Sequence, residues 1–331
     1  MNNYRRGVAM VIVMWVVLVL SLLISGFAFT MHVETQLESF NRKQLKAEMI
    51  ARSGVEVAKM MLIRDLTSPK DGSFDSPNQA WATNETLYVN HPLGDGILNV
   101  KVTDEESKMP VNKITSQQWH RLLDKLGVDP ADADVIADSV ADWIDADDLH
   151  LLNGAESDYY ESLSPPYRAK NALIDRVEEL LLVRGVTPEL VYGQPATEEE
   201  QAAPGLIELV TATSSGKINV NTAPAIVLQA ALGLDDVQTE AVVNHRLGSD
   251  GELGTEDDQP YKSLEEFYAL VGNISDEVRT QLADMLTVQS TYFTIRATGE
   301  VGGVKHTITA VVRRGDDKQI RTFTWREVRG G

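Results

Sequence analysis

The chain reads as an α+β protein in which a long N-terminal helix packs on an antiparallel sheet and a large, mostly α-helical insert interrupts that sheet. Three observations carry this reading. Residues Val8 to Met31 are 24 consecutive positions with no charged side chain, and apolar residues at helical spacing continue beyond them to about Asp65. Segments with β-type alternation lie on both sides of a long middle stretch. That stretch, Pro110 to Val288, holds 33 acidic and 11 basic residues, a balance of −22, so the rest of a chain with net charge −19 carries +3. An acidic module sits inside a nearly neutral frame.

The helix comes first. At about 1.5 Å per residue the uncharged run spans roughly 36 Å, enough to cross a hydrocarbon core of about 30 Å with some tilt. Arg5 and Arg6 precede it, and His32, Glu34 and Glu38 follow, which places the short end inside and the bulk outside. A cleavable secretory signal would have an apolar core of about 7 to 15 residues followed by a small-residue cleavage site. Here the run is longer, and Ser25-Gly26-Phe27-Ala28 lies within it. A plain signal anchor is the alternative. Past the run, Val33, Leu37, Phe40, Leu45, Met49, Val57 and Met61 recur at three-to-four spacing among charges, with no proline before Pro69. One helix from about Val8 to Asp65 is expected, its second half packed under a globular head. A membrane helix followed by an independent helix is the competing reading.

About 265 residues follow, room for one large or two ordinary domains with proper cores. Strands are expected at Thr86 to Asn90 and Gly96 to Thr103, with a turn at Pro92 to Gly94. Tyr292 to Thr298 and Lys305 to Val312 flank Gly302-Gly303 as a hairpin, and Gln319 to Trp325 forms a further strand. Asp71 to Asn78, with Pro69 and Pro77 nearby, reads as a loop, and Gly193 to Gly205 as an exposed linker.

The insert contains a weak internal repeat. Pro110 to Leu123 and Lys217 to Leu228 each open with an asparagine-bearing segment, then Thr115 or Thr222 as candidate N-cap, a short helix, Leu-Gly and a second helix. The second copy continues through Ala241 to Arg246 and Tyr261 to Gly272, and resembles helix-hairpin-helix modules of DNA-uptake and repair proteins. Such modules hold phosphate with backbone N–H groups of a glycine-rich hairpin and nearby lysines. Here the hairpin reads Gly233-Leu234-Asp235-Asp236 in a module of charge −22, so no nucleic acid is expected and a protein-packing role is favoured. Trp119 and Trp143 read as core residues.

Two carboxylate clusters suggest a metal. The first is Asp142, Asp145, Asp147 and Asp148 followed by Asn153 and Glu156; the second is Asp250, Glu252, Glu256, Asp257 and Asp258. Oxygen ligands without cysteine or paired histidine suit a hard cation, and Ca²⁺ accepts six to eight oxygens in flexible loops. Neither cluster is an EF-hand, since Leu149 and Gly254 fall where its third acidic ligand belongs. Ca²⁺ at one or two sites is the expectation, and a solvated acidic surface is the alternative.

Arg5-Arg6-Gly7 joined directly to Val8-Ala9-Met10-Val11-Ile12 resembles a type IV prepilin leader, cut after Gly7 so that Val8 becomes the first mature residue. Pilins nearly always carry glutamate at the fifth mature position, which here is Ile12. That departure fits one class, the K-type minor pseudopilin of type II secretion systems. The resemblance extends through Ala141 to Asp148, Asn153 to Glu156, Tyr159-Tyr160, Tyr167 to Asn171, Glu178 to Leu180 and Gly216 to Ala223. It implies a pilin-like fold and a large minor subunit that joins I- and J-type minor pseudopilins at the tip of the major pseudopilin filament. It also implies Ca²⁺ in the head, and cleavage and N-methylation at Val8 by the prepilin peptidase. The implied location is the bacterial inner membrane, single-pass, with a cytoplasmic N-terminus and a periplasmic head. In the family the missing carboxylate pairs with a neighbouring subunit's terminal amine, and a charge in lipid needs such a partner. A subunit with nothing above it has none to satisfy, so Ile12 is an assembly residue.

The implied divisions are a leader at 1–7, a transmembrane half-helix at 8–31, an amphipathic half-helix at 32–66 and the first part of the head at 67–109. The acidic insert at 110–289 and the C-terminal strands at 290–331 complete them. A membrane-anchored helix-hairpin-helix DNA receptor and a minor pilin of a surface type IV pilus are the rival functions; a basic hairpin would favour the first and glutamate at position 12 the second. No cysteine, phosphate loop, G-x-S-x-G elbow or H-E-x-x-H motif is present and the six histidines are scattered, so an enzyme is not expected.

Overall fold

The computed structural model describes residues 3–68, 72–83, 85–195, 202–272, 276–315 and 317–330. Met1 and Asn2 of the leader, residues 69–71 of the expected loop and residues 196–201 of the expected linker lie outside these. Helix α1 (Asn3–Leu66) runs unbroken through the apolar and amphipathic halves. After α2 (Glu85–Tyr88) come β1 (His91–Leu93) and β2 (Gly96–Asp104), which turn at Gly94-Asp95. The insert follows. Its first half holds β3 (Met109–Pro110), α3 (Ser116–Lys125), α4 (Pro130–Ile144), α5 (Ser157–Glu161), α6 (Pro188–Tyr192), α7 (Leu206–Leu209) and β4 (Val210–Thr211). Its second half holds β5 (Ile218–Asn219), α8 (Ala225–Leu232), α9 (Asp236–Arg246), α10 (Leu264–Val271), α11 (Asp276–Met285) and β6 (Leu286–Thr287). The chain returns as β7 (Tyr292–Val301), β8 (Val304–Arg314) and β9 (Ile320–Gly330).

The main sheet has the order β1-β2-β7-β8-β9, antiparallel throughout. Asp104 of β2 lies opposite Phe293 of β7, so the insert leaves and re-enters the sheet at adjacent points. Alternation along β2, β7 and β8 turns Val100, Val102, Ile295, Ala297, Ile308 and Ala310 toward α1. Against them α1 presents Ala47, Ile50, Ala51, Val55, Ala58 and Leu62.

Three expectations need correction. The large apolar residues Val33, Leu37, Phe40, Leu45 and Met49 are exposed, and the face on the sheet lies elsewhere on the helix, where Ala47, Ala51, Gly54 and Ala58 are interspersed with Ile50, Val55 and Leu62. The approach is too close for bulk: a Cβ on Gly54 would lie 2.6 Å from Leu98 Cδ1, and one on Gly299 2.1 Å from the Ala47 carbonyl oxygen. Next, Thr86 to Asn90 is not a strand. The helical turn α2 places Tyr88 in the core, and His91 to Leu93 takes the edge position beside β2. Finally, Thr222 does not cap α8. Pro224 disfavours helical backbone at the residue before it, so the helix begins at Ala225. Thr222 instead donates its hydroxyl to Asp104 Oδ2 at 2.6 Å.

The repeat is visible in the fold. Strand β3 pairs in parallel with β4, and β5 with β6, each closing one half of the insert. Asn112 donates to Ile174 O at 2.9 Å and accepts from Ile174 N at 2.8 Å; Asn221 does the same with Tyr261 O and N at 2.9 and 2.8 Å. Each asparagine thus mimics a strand partner for a distant segment. Thr115 caps α3 in a capping box with Gln118. The halves pack through α3 and α8: Gln118 Nε2 donates to Ala231 O at 3.0 Å and Arg121 Nε to Ala230 O at 2.8 Å. Their common core includes Trp119, Trp143, Tyr160, Val227, Tyr261 and Phe267.

Candidate functional site

The first acidic cluster is assembled by the end of α4, the loop after it and the start of α5. Asp142 lies in the last turn of α4, Asp145 is its C-cap, and Glu156 is the N-cap of α5. One carboxylate oxygen from each of these three lies within 4.8 Å of those from the other two. Asp142 and Glu156 are buried, Asp145 exposed. The floor is aromatic: Trp143 meets Tyr160 edge-on at 5.2 Å, and Tyr160 stacks on Tyr167 at 5.2 Å. This clamps the two ends of the loop together.

Asp142 accepts from Leu151 N with both oxygens at 3.1 Å. Among the described residues, neither oxygen of Glu156 has a hydrogen-bond partner. Burial, and after it the charges of Asp142 and Asp145, push the Glu156 carboxyl up to about 7. Burial likewise raises Asp142. A Cβ on Gly154 would come 1.9 Å from Asp142 Oδ2, so the cradle admits only glycine there. Crowded, desolvated carboxylates with orphaned oxygens fit a hard divalent cation.

The other sequence candidates lie around this triad. Asp147 Oδ1 accepts from Leu149 N at 2.9 Å, and Asp148 Oδ1 accepts from Ser157 Oγ and Asn171 Nδ2, both at 3.2 Å. Asn153 turns its amide nitrogen to Asp138 Oδ2 at 3.1 Å. Asp138 was not among the sequence candidates, although it stands one helical turn before Asp142. Arg184, likewise outside the sequence candidates, donates to Gly154 O at 3.0 Å and lies over the Tyr159 ring.

The second cluster is organised differently. Asp257 Oδ2 accepts from Ser249 N at 2.7 Å, Ser249 Oγ at 2.6 Å and Asp250 N at 3.1 Å, which holds its carboxyl far below the usual carboxylate range. Asp250 accepts from Glu252 N, and Asp258 from Gly254 N, each at 2.8 Å. These carboxylates are satisfied by their own loop. Asp250, Glu252, Glu256, Asp257 and Asp258 supply no set of three ligand atoms as close as those of the first cluster.

In the hairpin between α8 and α9, Gly233 adopts left-handed backbone (φ +69°) and Asp235 Oδ1 accepts from Gln238 N at 2.7 Å. The carboxylate takes the amide that a phosphate would need. At the other end of the molecule, Gly7, Val8 and Ile12 lie within α1, and the large apolar side chains from Met10 to Met31 expose between 47% and 71% of their surface. Ile12 itself is exposed.

A helix long and apolar enough to cross a membrane, continuous with a sheet-packed head that carries a helical insert, gives the chain a pilin-like architecture. Residues 96–193 and 218–289, just over half of the chain, match the family described as Type II secretion system (T2SS), protein K, and the chain belongs to that family. It is 27% identical to the type II secretion system protein K of Pseudomonas aeruginosa, over all of this chain and 95% of that one. Its identity to the Aeromonas hydrophila protein of the same name is 26%, over 97% of each. Its fold is similar to a chain of the GspK-GspI-GspJ complex from the enterotoxigenic Escherichia coli Type 2 Secretion System. That match has TM-score 0.67 and 20% identity, and covers 90% of this chain and 99% of the other. The family is a structural part of the secretion machine, a minor pseudopilin rather than an enzyme.

Proposed function

We propose that this chain caps and helps initiate the periplasmic pseudopilus of a type II secretion system, joined to I- and J-type minor pseudopilins. The observation that carries it is the divided burial of α1. Its sheet-facing stripe begins near Ala47, while Met10 to Met31 and the large apolar residues Val33 to Met49 remain exposed. Such a helix needs two further environments, lipid for its first half and neighbouring subunits' helices for its second. Ile12 supplies no carboxylate for a subunit above it, and the bulky insert would obstruct stacking on that side.

In this reading the prepilin peptidase cuts after Gly7 and methylates Val8, leaving a single-pass inner-membrane subunit whose leader faced the cytoplasm. Asp142, Asp145 and Glu156 would hold Ca²⁺, with Asp147, Asp148 and Asn153 around them; the donor set is all oxygen, as that ion requires. The ion would neutralise the loop and fix α5 against α4. The loop of Asp250, Glu252, Glu256, Asp257 and Asp258 would be a second site with weaker demand, since its own N–H groups already serve its carboxylates. The test mixes the soluble part from His32 onward with I- and J-type heads and measures complex mass with and without a chelator. A Ca²⁺-sensitive 1:1:1 complex supports cap and metal together; no complex in either condition would remove the tip assignment for those partners.

A further inference from the structure

A second group of ligand-type side chains lies in the head, away from the acidic loops. Glu48 of α1, His306 of β8 and Glu327 of β9 each place one ligand atom within 4.8 Å of the other two. His306 is fully buried, and among the described residues neither ring nitrogen has a hydrogen-bond partner. Its Nε2 lies 3.5 Å from Glu327 Oε2, too far for a good hydrogen bond. Two ligand atoms on one tetrahedral zinc, bound at about 2.0–2.2 Å each, stand roughly 3.3–3.5 Å apart. The spacing is that of two ligands sharing an ion.

The topology explains the convergence. On β8, His306 and Ile308 point to the same inner face, and Glu327 stands opposite Ile308 in the β8–β9 register, so histidine and glutamate are diagonal neighbours beneath α1. Glu327 is oriented from outside the triad: its Oε1 accepts from Trp325 Nε1 at 2.8 Å and Arg52 Nη2 at 3.1 Å, leaving Oε2 toward the imidazole. Arg52 also reaches Glu48 Oε1 at 2.8 Å. Outer donors that hold a ligating carboxylate in this way are typical of metal sites.

We propose that Glu48, His306 and Glu327 form a binding site for a Zn²⁺-class divalent ion that ties α1 to the last two strands. An imidazole among the ligands selects against Ca²⁺ and Mg²⁺, and three protein ligands leave a coordination position for water. The ion would strap the helix to the edge of the sheet, where β9 is the last strand among the described residues.

The test uses the full chain in detergent, stripped of metal and then kept in millimolar Ca²⁺ so that oxygen-only loops are filled. Zn²⁺ is titrated calorimetrically, and Co²⁺ is followed by its visible absorption. The expected result is one Ca²⁺-resistant equivalent of Zn²⁺ and the intense bands of a four-coordinate Co²⁺ site. Glu48→Gln and Glu327→Gln should each weaken binding about tenfold or more. His306→Gln should abolish it; because that side chain is buried and its loss could unfold the head, the two glutamates, both partly exposed, carry the decision with circular dichroism as control. Failure to bind Zn²⁺ in Ca²⁺, or equal binding by wild type, E48Q and E327Q, overturns the proposal, the latter placing the ion on other histidines.

Discussion

Burial and the adjoining Asp142 and Asp145 charges push Glu156 up to about 7, and among the described residues neither of its oxygens has a hydrogen-bond partner. An unfolded glutamate titrates near about 4.3, so the folded chain binds this proton more tightly than the unfolded one. The linked cost to stability is absent below about pH 4 and complete above about pH 7, on the order of 3 kcal/mol. In chelator, the stability of the wild type should therefore fall relative to Glu156→Gln as pH rises from 4 to 7, and saturating Ca²⁺ should cancel that difference. Parallel pH profiles for the two proteins in chelator would contradict the assignment. Gly154→Ala drives a methyl into Asp142 Oδ2, so it should lose about 1–3 kcal/mol and the Ca²⁺-induced rise in melting temperature together. The density of acids and the shortage of other ligand types made this site legible, but the same signal pointed equally to the loop around Asp257. What separates them is burial without a donor: Asp142 and Glu156 are buried and, among the described residues, Glu156 receives no N–H, whereas the loop around Asp257 turns its own N–H groups onto its carboxylates. That depends on loop conformation, which composition does not specify. Asp138 had a usable signal, its four-residue spacing from Asp142 on one helix, whereas Asn153 looked like an oxygen donor and uses its nitrogen.

On α1 the closest approach to the sheet falls at small residues, Ala47, Ala51 and Gly54. Gly299 has no room for a side chain because the Ala47 carbonyl lies where its Cβ would be. Gly299→Val should force helix and sheet apart and destabilise the head by about 3 kcal/mol, read by urea denaturation; Gly26→Ala, in open surroundings, should leave the head unchanged. Equal stability of both variants would mean the helix does not rest on the sheet as described. The helix and the strands β2, β7, β8 and β9 could be read from the sequence because uncharged length and strict alternation are strong, local signals. The buried face of α1 could be read only at its end, where Met61 is buried and Val57 packs against the core. Val33 to Met49 have the right spacing and hydrophobicity, and the distinction between a face for its own sheet and a face for something else lies in the sheet's distance. Thr86 to Asn90 misled because a single inward tyrosine, Tyr88, satisfies a helical turn as well as a strand.

The molecule has two separate cores, one within the insert and one between α1 and the main sheet, joined through a buried polar seam. Asp75, on the loop after α1, pairs with the buried Arg314 at the end of β8 and accepts from Ser290 N at 2.7 Å. Asp104, at the end of β2, accepts from Ser290 Oγ and Thr222 Oγ1 at 2.6 Å and from Asn219 Nδ2 at 3.2 Å, so two donors of the insert and one just past its end converge on one head carboxylate. Burial, followed by the Glu106 charge, still lifts Asp104 to about 7, and burial raises Glu106 as well. An unfolded aspartate titrates near about 3.9, so the penalty of this seam is absent below about pH 4, only partly developed near about pH 5.5 and complete above about pH 7. Ionisation adds charge to a site that already holds Glu106 and Asp75, and the hydroxyl donors offset that repulsion only in part. The two cores should therefore unfold as one unit near pH 5.5 and as two resolved calorimetric transitions near pH 8.5. Both scans are run in saturating Ca²⁺ so that Glu156 does not contribute. Asp104→Asn keeps a side chain of the same shape without the titration, and its transitions should keep the same separation at both pH values. If the wild type shows the same separation at pH 5.5 and 8.5, the seam is not the element that couples insert to head, and the coupling must reside in the chain crossings at Asp104 and Phe293 themselves.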